Sequence, residues 1–205
     1  MNKAIEVADV HHKPVERGVE EANLLERHLA GDGRAFEALV QRYKARVYGY
    51  IVRSGIPRDE WDDLFQEVFL RIHAAASSYR SERPLDAWVF AITANVVRSW
   101  YRRRKVRTRV VPDPDPPARD TGCDSLQILE IRESVAWLER AVRSLPPVQR
   151  EVVILSCVEQ LPHAEIARAL GLPVNTVKTH LRRGRLALAA GRVRASKREQ
   201  REVGP

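Results

Sequence analysis

Seven residues divide this chain. The run Val111-Pro112-Asp113-Pro114-Asp115-Pro116-Pro117 cannot continue a helix or enter the middle of a sheet. Proline lacks the backbone N–H and pushes the residue before it out of helical space. With Ala118 to Gly122 behind it, the stretch reads as a flexible Pro-rich linker over residues 105–123. On both sides apolar residues recur at steps of three and four, and no segment sustains strict alternation. The fold class is therefore all-α, with two small helical domains, residues 22–104 and 124–190. Residues 1–21 and 191–205 read as disordered tails.

In the first half, Leu24, Leu25, His28 and Leu29 mark a helix that Gly31-Asp32-Gly33 breaks. A second amphipathic face follows, with Phe36, Leu39, Val40, Tyr43, Val47, Tyr50 and Ile51, and ends near Ser54-Gly55. A third helix, from about Asp59 to Ala76, carries the stripe Trp61, Leu64, Phe65, Val68, Phe69 and Ile72. After a polar stretch, Pro84 sits where a first helical turn tolerates proline. The fourth helix runs to about Arg104 with Leu85, Trp88, Val89, Ile92, Val96 and Val97 inward. Beyond the linker, Asp124 and Gln127 have the spacing of a capping box for a helix ending near Leu145. Pro147 opens another to about Glu159, and two shorter helices flank Gly171-Leu172-Pro173.

The charge balance narrows the partners. A net charge of +8 favours an anionic partner, nucleic acid or an acidic membrane surface, over a solvated basic surface with none. No apolar run is long enough to span a bilayer, and Met1 to Glu21 lacks the apolar core of a secretory signal. Cys123 and Cys157 are the two cysteines, read as one linker thiol and one core thiol in a reducing cytosol. Neither they nor His11, His12 and His163 have metal-ligand spacing.

Residues Leu161 to Leu181 read as a helix–turn–helix. Ile166, Ala167 and Leu170 pack inward from its first helix, and Gly171 lets the chain turn. Val177, Leu181 and Leu188 form the inner stripe of the second. The opposite face shows Asn175, Thr176, Lys178, Thr179, Arg182, Arg183 and Arg185. Such a helix fits a major groove: its polar start reaches base edges and its arginines grip guanine or phosphate.

A second basic segment, Arg98 to Arg109, holds seven Lys or Arg and no acid, interleaved with Trp100 and Tyr101. It is suited to a phosphate backbone with stacked bases, or simply to a cationic helix end. The third signal is acidic. Asp63, Gln66 and Glu67 share one helix side by their spacing of three and four. That face fits a partner protein better than DNA. Part of the acidity, at Asp59 and Glu60, suits the helix dipole.

These segments together resemble a bacterial RNA polymerase sigma factor of the extracytoplasmic-function class. The resemblance is carried by DLFQEVFLRI (63–72), YRSERPL (79–85), DAWVFAITANVVRSWYRRR (86–104), LPxxQREVVIL (145–155) and EIARALGLPVNTVKTHLRRGRLAL (165–188). It covers about Leu24 to Arg104 and Glu133 to Ala190.

The resemblance implies a division of labour. Region 2 binds the clamp helices of core RNA polymerase through Asp63, Gln66 and Glu67. Its loop, Tyr79, Arg80, Ser81, Glu82 and Arg83, captures an unpaired base of the minus-10 element. Asn95, Arg98, Trp100, Arg102 and Arg103 guide the melting strand. Region 4 reads the minus-35 duplex with Asn175, Thr176, Lys178, Thr179, Arg182, Arg183 and Arg185 and touches the polymerase flap. The resemblance also implies an anti-sigma partner, a cytoplasmic location, and no catalytic residue, cofactor, metal or small-molecule substrate.

Pro162-His163 departs from the family's usual opening of the helix–turn–helix, and Ser99 stands where many members have Asp. Gly184 replaces a usual alanine, at an expected cost of about 1 kcal/mol to its helix. Two other readings use less of the chain. A helix–turn–helix repressor or activator leaves the acidic helix idle. A metal-dependent nuclease built on the Asp62 to Glu67 cluster is separated by a metal-dependence assay on single-stranded DNA.

Overall fold

The computed structural model describes residues 24–80, 82–107 and 126–202, and all regular structure among them is helical. Helix α1 (24–29) ends at Gly31, whose φ of 97° is left-handed. Helix α2 (Gly33–Arg53) starts at once, because Asp32 caps it by accepting a hydrogen bond from the Arg34 amide at 3.0 Å. The Arg27 guanidinium beside Asp32 holds that carboxyl below its usual range. The Gly-Asp-Gly breaker is thus also a start signal. Along α2, Ala35, Leu39, Tyr43, Val47, Tyr50 and Ile51 are buried, and Phe36 and Val40 are half-buried beside them.

A 3-10 turn (Arg58–Glu60) leads into α3 (Trp61–Ala75), where Leu64, Val68, Phe69 and Ile72 are buried. Helix α4 (Leu85–Arg107) runs three residues past its expected end. It also differs in kind from a one-sided amphipathic helix. Ala87, Phe90 and Ala94, outside the expected stripe, are as buried as Val89 and Val96. Phe90 meets the Tyr50 ring at 6.0 Å and lies under the Arg46 guanidinium at 4.9 Å. The C-terminal half packs directly on α4.

That half consists of α5 (Leu126–Arg143), α6 (Pro147–Val153), α7 (His163–Leu170) and α8 (Val174–Glu202). Pro147 begins α6 as expected, but the helix widens into a π turn at Ile154–Val158. Cys157 lies in that turn and is exposed, which corrects its reading as a core thiol. Pro162 precedes α7 in extended geometry rather than lying inside its first turn, so it costs the helix no hydrogen bond. Gly171 ends α7 at φ 64°, and the Leu172 amide returns to the Ala167 carbonyl at 2.9 Å, closing the turn of the helix–turn–helix.

Helix α8 is much longer than expected. The residues read as a disordered tail continue it to Glu202, because Ala, Arg, Lys, Glu and Gln favour helix and no proline intervenes. Part of the extension packs on α5: Arg192 lies over the Trp137 ring at 5.4 Å, and a Cβ at Gly191 would touch that ring at 3.4 Å. The expected N-terminal tail, residues 108–123 of the linker with Cys123, and the Asp124 cap lie outside the described residues.

Gly184 shows why α8 carries glycine in its interior. A Cβ there would approach Val153 Cγ2 on α6 at 2.6 Å. Val153 is buried and β-branched, so it has little freedom to give way. The helix-propensity cost named above is therefore offset by close packing of α8 on α6. Overpacking costs about 1–3 kcal/mol, against about 1 kcal/mol of propensity gained by alanine. Gly184→Ala is expected to lower stability in urea denaturation, and Val153→Ala in the same chain should recover part of the loss. A stabilised single variant would mean that the helix could move away at little cost.

Candidate nucleic-acid interface

The start of α8 has the burial pattern that its periodicity predicts. Val177 and Leu181 are buried and Leu188 packs partly against the core. Asn175, Lys178, Thr179, Arg182, Arg183 and Arg185 are exposed, and Thr176 is half-buried. The Thr179 hydroxyl donates to the Asn175 carbonyl at 2.9 Å, which fixes that side chain against its own helix. Lys178, Arg182 and Arg185 lie at steps of four and three on one exposed side of α8, and Arg183 is exposed beside that row.

The loop before α4 is held by its own side chains. The Tyr79 hydroxyl donates to the Arg83 carbonyl at 2.7 Å, and its ring meets Trp88 edge-on at 5.4 Å. Tyr79 is thus a half-buried brace of the loop. Arg80 and Glu82 are exposed, and Ser81 lies outside the described residues. Arg80, Glu82 and Tyr79, with Leu25, Glu26 and Leu29 from α1, surround a cavity of about 250 Å³. That is smaller than a typical drug-sized site. The α1 contribution was not read from the sequence. Leu29, read with Leu24, Leu25 and His28 as one helix face, is 54% exposed there.

Along α4 the expected strand-guiding residues divide. Asn95 is exposed beside a shallow groove lined by Arg71, Ala74, Ala75 and Ile92. Arg102 and Arg103 are exposed; the first donates to the Ser99 hydroxyl at 2.9 Å and the second pairs with Glu67 at 3.2 Å. Trp100 is buried, edge-on to Tyr101 at 5.0 Å with Arg104 over its face. Its expected role as a stacking platform is corrected: the indole is spent on packing, and Arg104 already occupies one face.

Arg98 is half-buried and does not face solvent as a free cation. Its guanidinium grips Glu151 of α6 at 2.8 Å and donates to the Leu170 carbonyl at 3.0 Å. Arg83 reaches Glu165 of α7 at 3.5 Å. Arg46 on α2 binds Asp86 through both terminal nitrogens at 2.9 and 3.0 Å and Glu159 at 3.0 Å. Burial pushes the Glu159 carboxyl up, with Arg46 and Arg53 opposing it. In return Arg150 of α6 donates to the Ser54 carbonyl at the end of α2 and to the Tyr101 hydroxyl at 3.3 Å. A Cβ at Gly55, where φ is 79°, would meet that Arg150 guanidinium at 2.8 Å. Five arginines therefore stitch together two halves that read as independent units.

The acidic face of α3 is only partly free. Asp63 and Gln66 are exposed, whereas Glu67 is half-buried between Arg71 at 2.5 Å and Arg103 at 3.2 Å. Asp62 accepts from the Tyr48 hydroxyl at 2.6 Å. Two carboxylates that a metal site would need are committed elsewhere, and among the described residues no three His, Cys, Asp or Glu side chains converge. Leu70 shares the face of Asp63, Gln66 and Glu67 and is 68% exposed. It was missed, although it was the one large apolar residue of α3 that the buried stripe did not use.

Comparison with known proteins matches both halves. Residues 39–107 match the family model described as Sigma-70 region 2, and residues 136–188 the one described as Sigma-70, region 4. RNA polymerase sigma-H factor of Pseudomonas aeruginosa is 29% identical over 180 residues, covering 82% of this chain and 92% of that protein. ECF RNA polymerase sigma factor SigM of Mycobacterium tuberculosis is 28% identical over 169 residues, covering 82% of this chain and 83% of that one. The solved structure of CnrH in complex with the cytosolic domain of CnrY superposes with a TM-score of 0.60 at 27% identity, covering 83% of this chain and 95% of that chain.

Proposed function

This chain belongs to the sigma-70 family, as a member of its extracytoplasmic-function class, and we propose that its surfaces divide the work of promoter recognition as follows. The chain binds core RNA polymerase and directs transcription initiation at specific promoters. Region 2 comprises α1 to α4 and region 4 comprises α5 to α8. Asp63 and Gln66, with Leu70 as an apolar anchor, meet the polymerase clamp helices; Glu67 orients Arg71 and Arg103 beside them. The cavity between α1 and the 79–83 loop receives a minus-10 base. Asn95, Arg102 and Arg103 lead the strand along α4. The exposed face of α8 reads the minus-35 duplex, and region 4 also touches the flap.

The observation that carries this reading is the joint one. A cationic recognition helix and an acidic, apolar-centred face stand on one chain in the order of the two family matches. A repressor has no use for the second surface. Chemistry belongs to the polymerase, and the chain supplies positioning and strand capture in the cytoplasm, where promoter and polymerase are. CnrH was solved with the cytosolic domain of CnrY, and an anti-sigma protein is the corresponding partner proposed here. Run-off transcription with purified core polymerase on genomic fragments tests the assignment. Discrete, chain-dependent transcripts are expected. A chain that binds duplex DNA tightly yet yields no such transcript with active core would overturn it.

A further inference from the structure

His28 on α1 and His73 on α3 meet ring to ring at the surface of region 2, and the surfaces described above use neither. The His28 Nε2 and His73 Nδ1 atoms are 2.9 Å apart. Phe36 on α2 rests against both imidazoles, its ring centroid 4.7 Å from that of His28 and 5.3 Å from that of His73. Three helices thus orient two imidazoles toward one another. His28 is half-buried and His73 exposed. Among the described residues, no carboxylate or backbone carbonyl holds either ring. The two lie 45 positions apart, so no spacing in the sequence announces them.

We propose that His28 and His73 form a binding site for a late first-row divalent cation of the Ni2+ or Cu2+ type. Imidazole nitrogen suits these ions, and both favour ligands at right angles. With metal–nitrogen distances of about 2.0–2.1 Å, two nitrogens at right angles stand about 2.9 Å apart, and two at a tetrahedral angle about 3.3–3.4 Å. The observed separation is that of the right-angled pair. The ion takes the lone pair of each facing nitrogen. The proton now shared between the rings passes through solvent to the far nitrogen of its own ring, so both imidazoles stay neutral. Among the described residues no third His, Cys, Asp or Glu joins the pair, so water fills the remaining positions and the site is an open one of modest affinity. Leu25, Glu26 and Leu29 on α1 line the cavity assigned to a minus-10 base. An ion that ties α1 to α3 therefore also fixes one wall of that cavity. This consequence rests on the sigma-factor reading; the site itself does not.

The test is thermal unfolding of the full chain, followed by circular dichroism with NiCl2 or with EDTA. A ligand that binds only the folded chain raises its melting temperature. At Ni2+ about ten times the dissociation constant, the wild type should melt about 3 °C or more above its value in EDTA. His11 and His12 adjoin in sequence and so stay close in the unfolded chain, and binding there would give no such rise. Glutamine keeps a hydrogen-bonding side chain but is a poor ligand for these ions. His28→Gln and His73→Gln should each fold and each lose the Ni2+ shift, and either one serves if the other does not fold. A wild type that ignores Ni2+ while both variants melt lower makes the pair a packing contact only and overturns the site. A Ni2+ shift retained by either folded variant overturns it as well. The measurement involves neither DNA nor polymerase, so failure of the sigma-factor reading would leave its result standing. Where that reading holds, run-off by the wild type should respond to Ni2+ more than run-off by His73→Gln with the same core. An equal response overturns the consequence for the cavity.

Discussion

Replacing Asp63 with lysine and Leu70 with serine is expected to abolish association with core RNA polymerase while leaving the fold intact. Both side chains are exposed on one face of α3, and neither has a role in its packing. The face combines an apolar centre with carboxylate and amide groups around it, the pattern of a protein–protein contact with a desolvated anchor. Lysine there sets like charge against a basic partner surface, which costs several kcal/mol. Loss of the anchor adds to it, so affinity should fall by more than about a hundredfold, or about 3 kcal/mol. Glu67 is a poorer choice for reversal, because its carboxylate already neutralises Arg71 and Arg103, and lysine would leave those two cations facing a third. Core binding by gel filtration, run-off transcription and circular dichroism on the Asp63→Lys/Leu70→Ser chain are the measurements. A folded variant with normal transcription would remove this face from the polymerase interface. A repressor would lose nothing by the change, and a nuclease would lose a cleavage that needs no polymerase.

What the sequence discloses here depends on the range of the interaction. Helix positions follow from local periodicity and from Gly and Pro, so Gly31, Pro147 and Gly171 mark boundaries that the structure keeps. The outward face of α8 follows from the same rule, because Val177 and Leu181 fix which side is inward. The contact between the halves was not legible. Its ion pairs join residues 53, 82 and 113 positions apart (Arg98–Glu151, Arg83–Glu165 and Arg46–Glu159). In a chain with 35 Lys and Arg against 27 Asp and Glu, pattern alone does not select which cation meets which acid. A trace was present all the same. Helix α4 carries apolar and small residues around more of its circumference than a surface helix needs, and Ala87 and Ala94 were small residues that the single-stripe reading left unused. Trp100 was misread for a related reason: an aromatic among arginines has the composition of a stacking site whether or not its ring is already covered.

The second large effect is expected at α8, where Lys178→Ala and Arg182→Ala together should remove minus-35 recognition. The residues lie four apart on the exposed face of one helix, so both can enter the same stretch of major groove. A side chain paired bidentately with a base contributes about 1–3 kcal/mol of discrimination. A side chain on phosphate contributes without regard to sequence, and its loss lowers the dependence of affinity on salt. The two contributions are separable by measuring duplex binding at several salt concentrations, on the promoter and on a scrambled duplex. If Arg182 reads a base, Arg182→Ala should weaken the promoter complex far more than the scrambled one and leave the salt slope nearly unchanged. If Lys178 holds phosphate, Lys178→Ala should weaken both alike and flatten the slope by about one ion. Neither substitution reaches the core, since Val177 and Leu181 carry the packing of this helix, so unfolding cannot supply the loss. Core binding should survive in the double variant, because the acidic face of α3 is untouched. Run-off from promoters that depend on the minus-35 element should then fall with duplex affinity. A double variant with unchanged promoter occupancy would show that region 4 reads its element with a different surface.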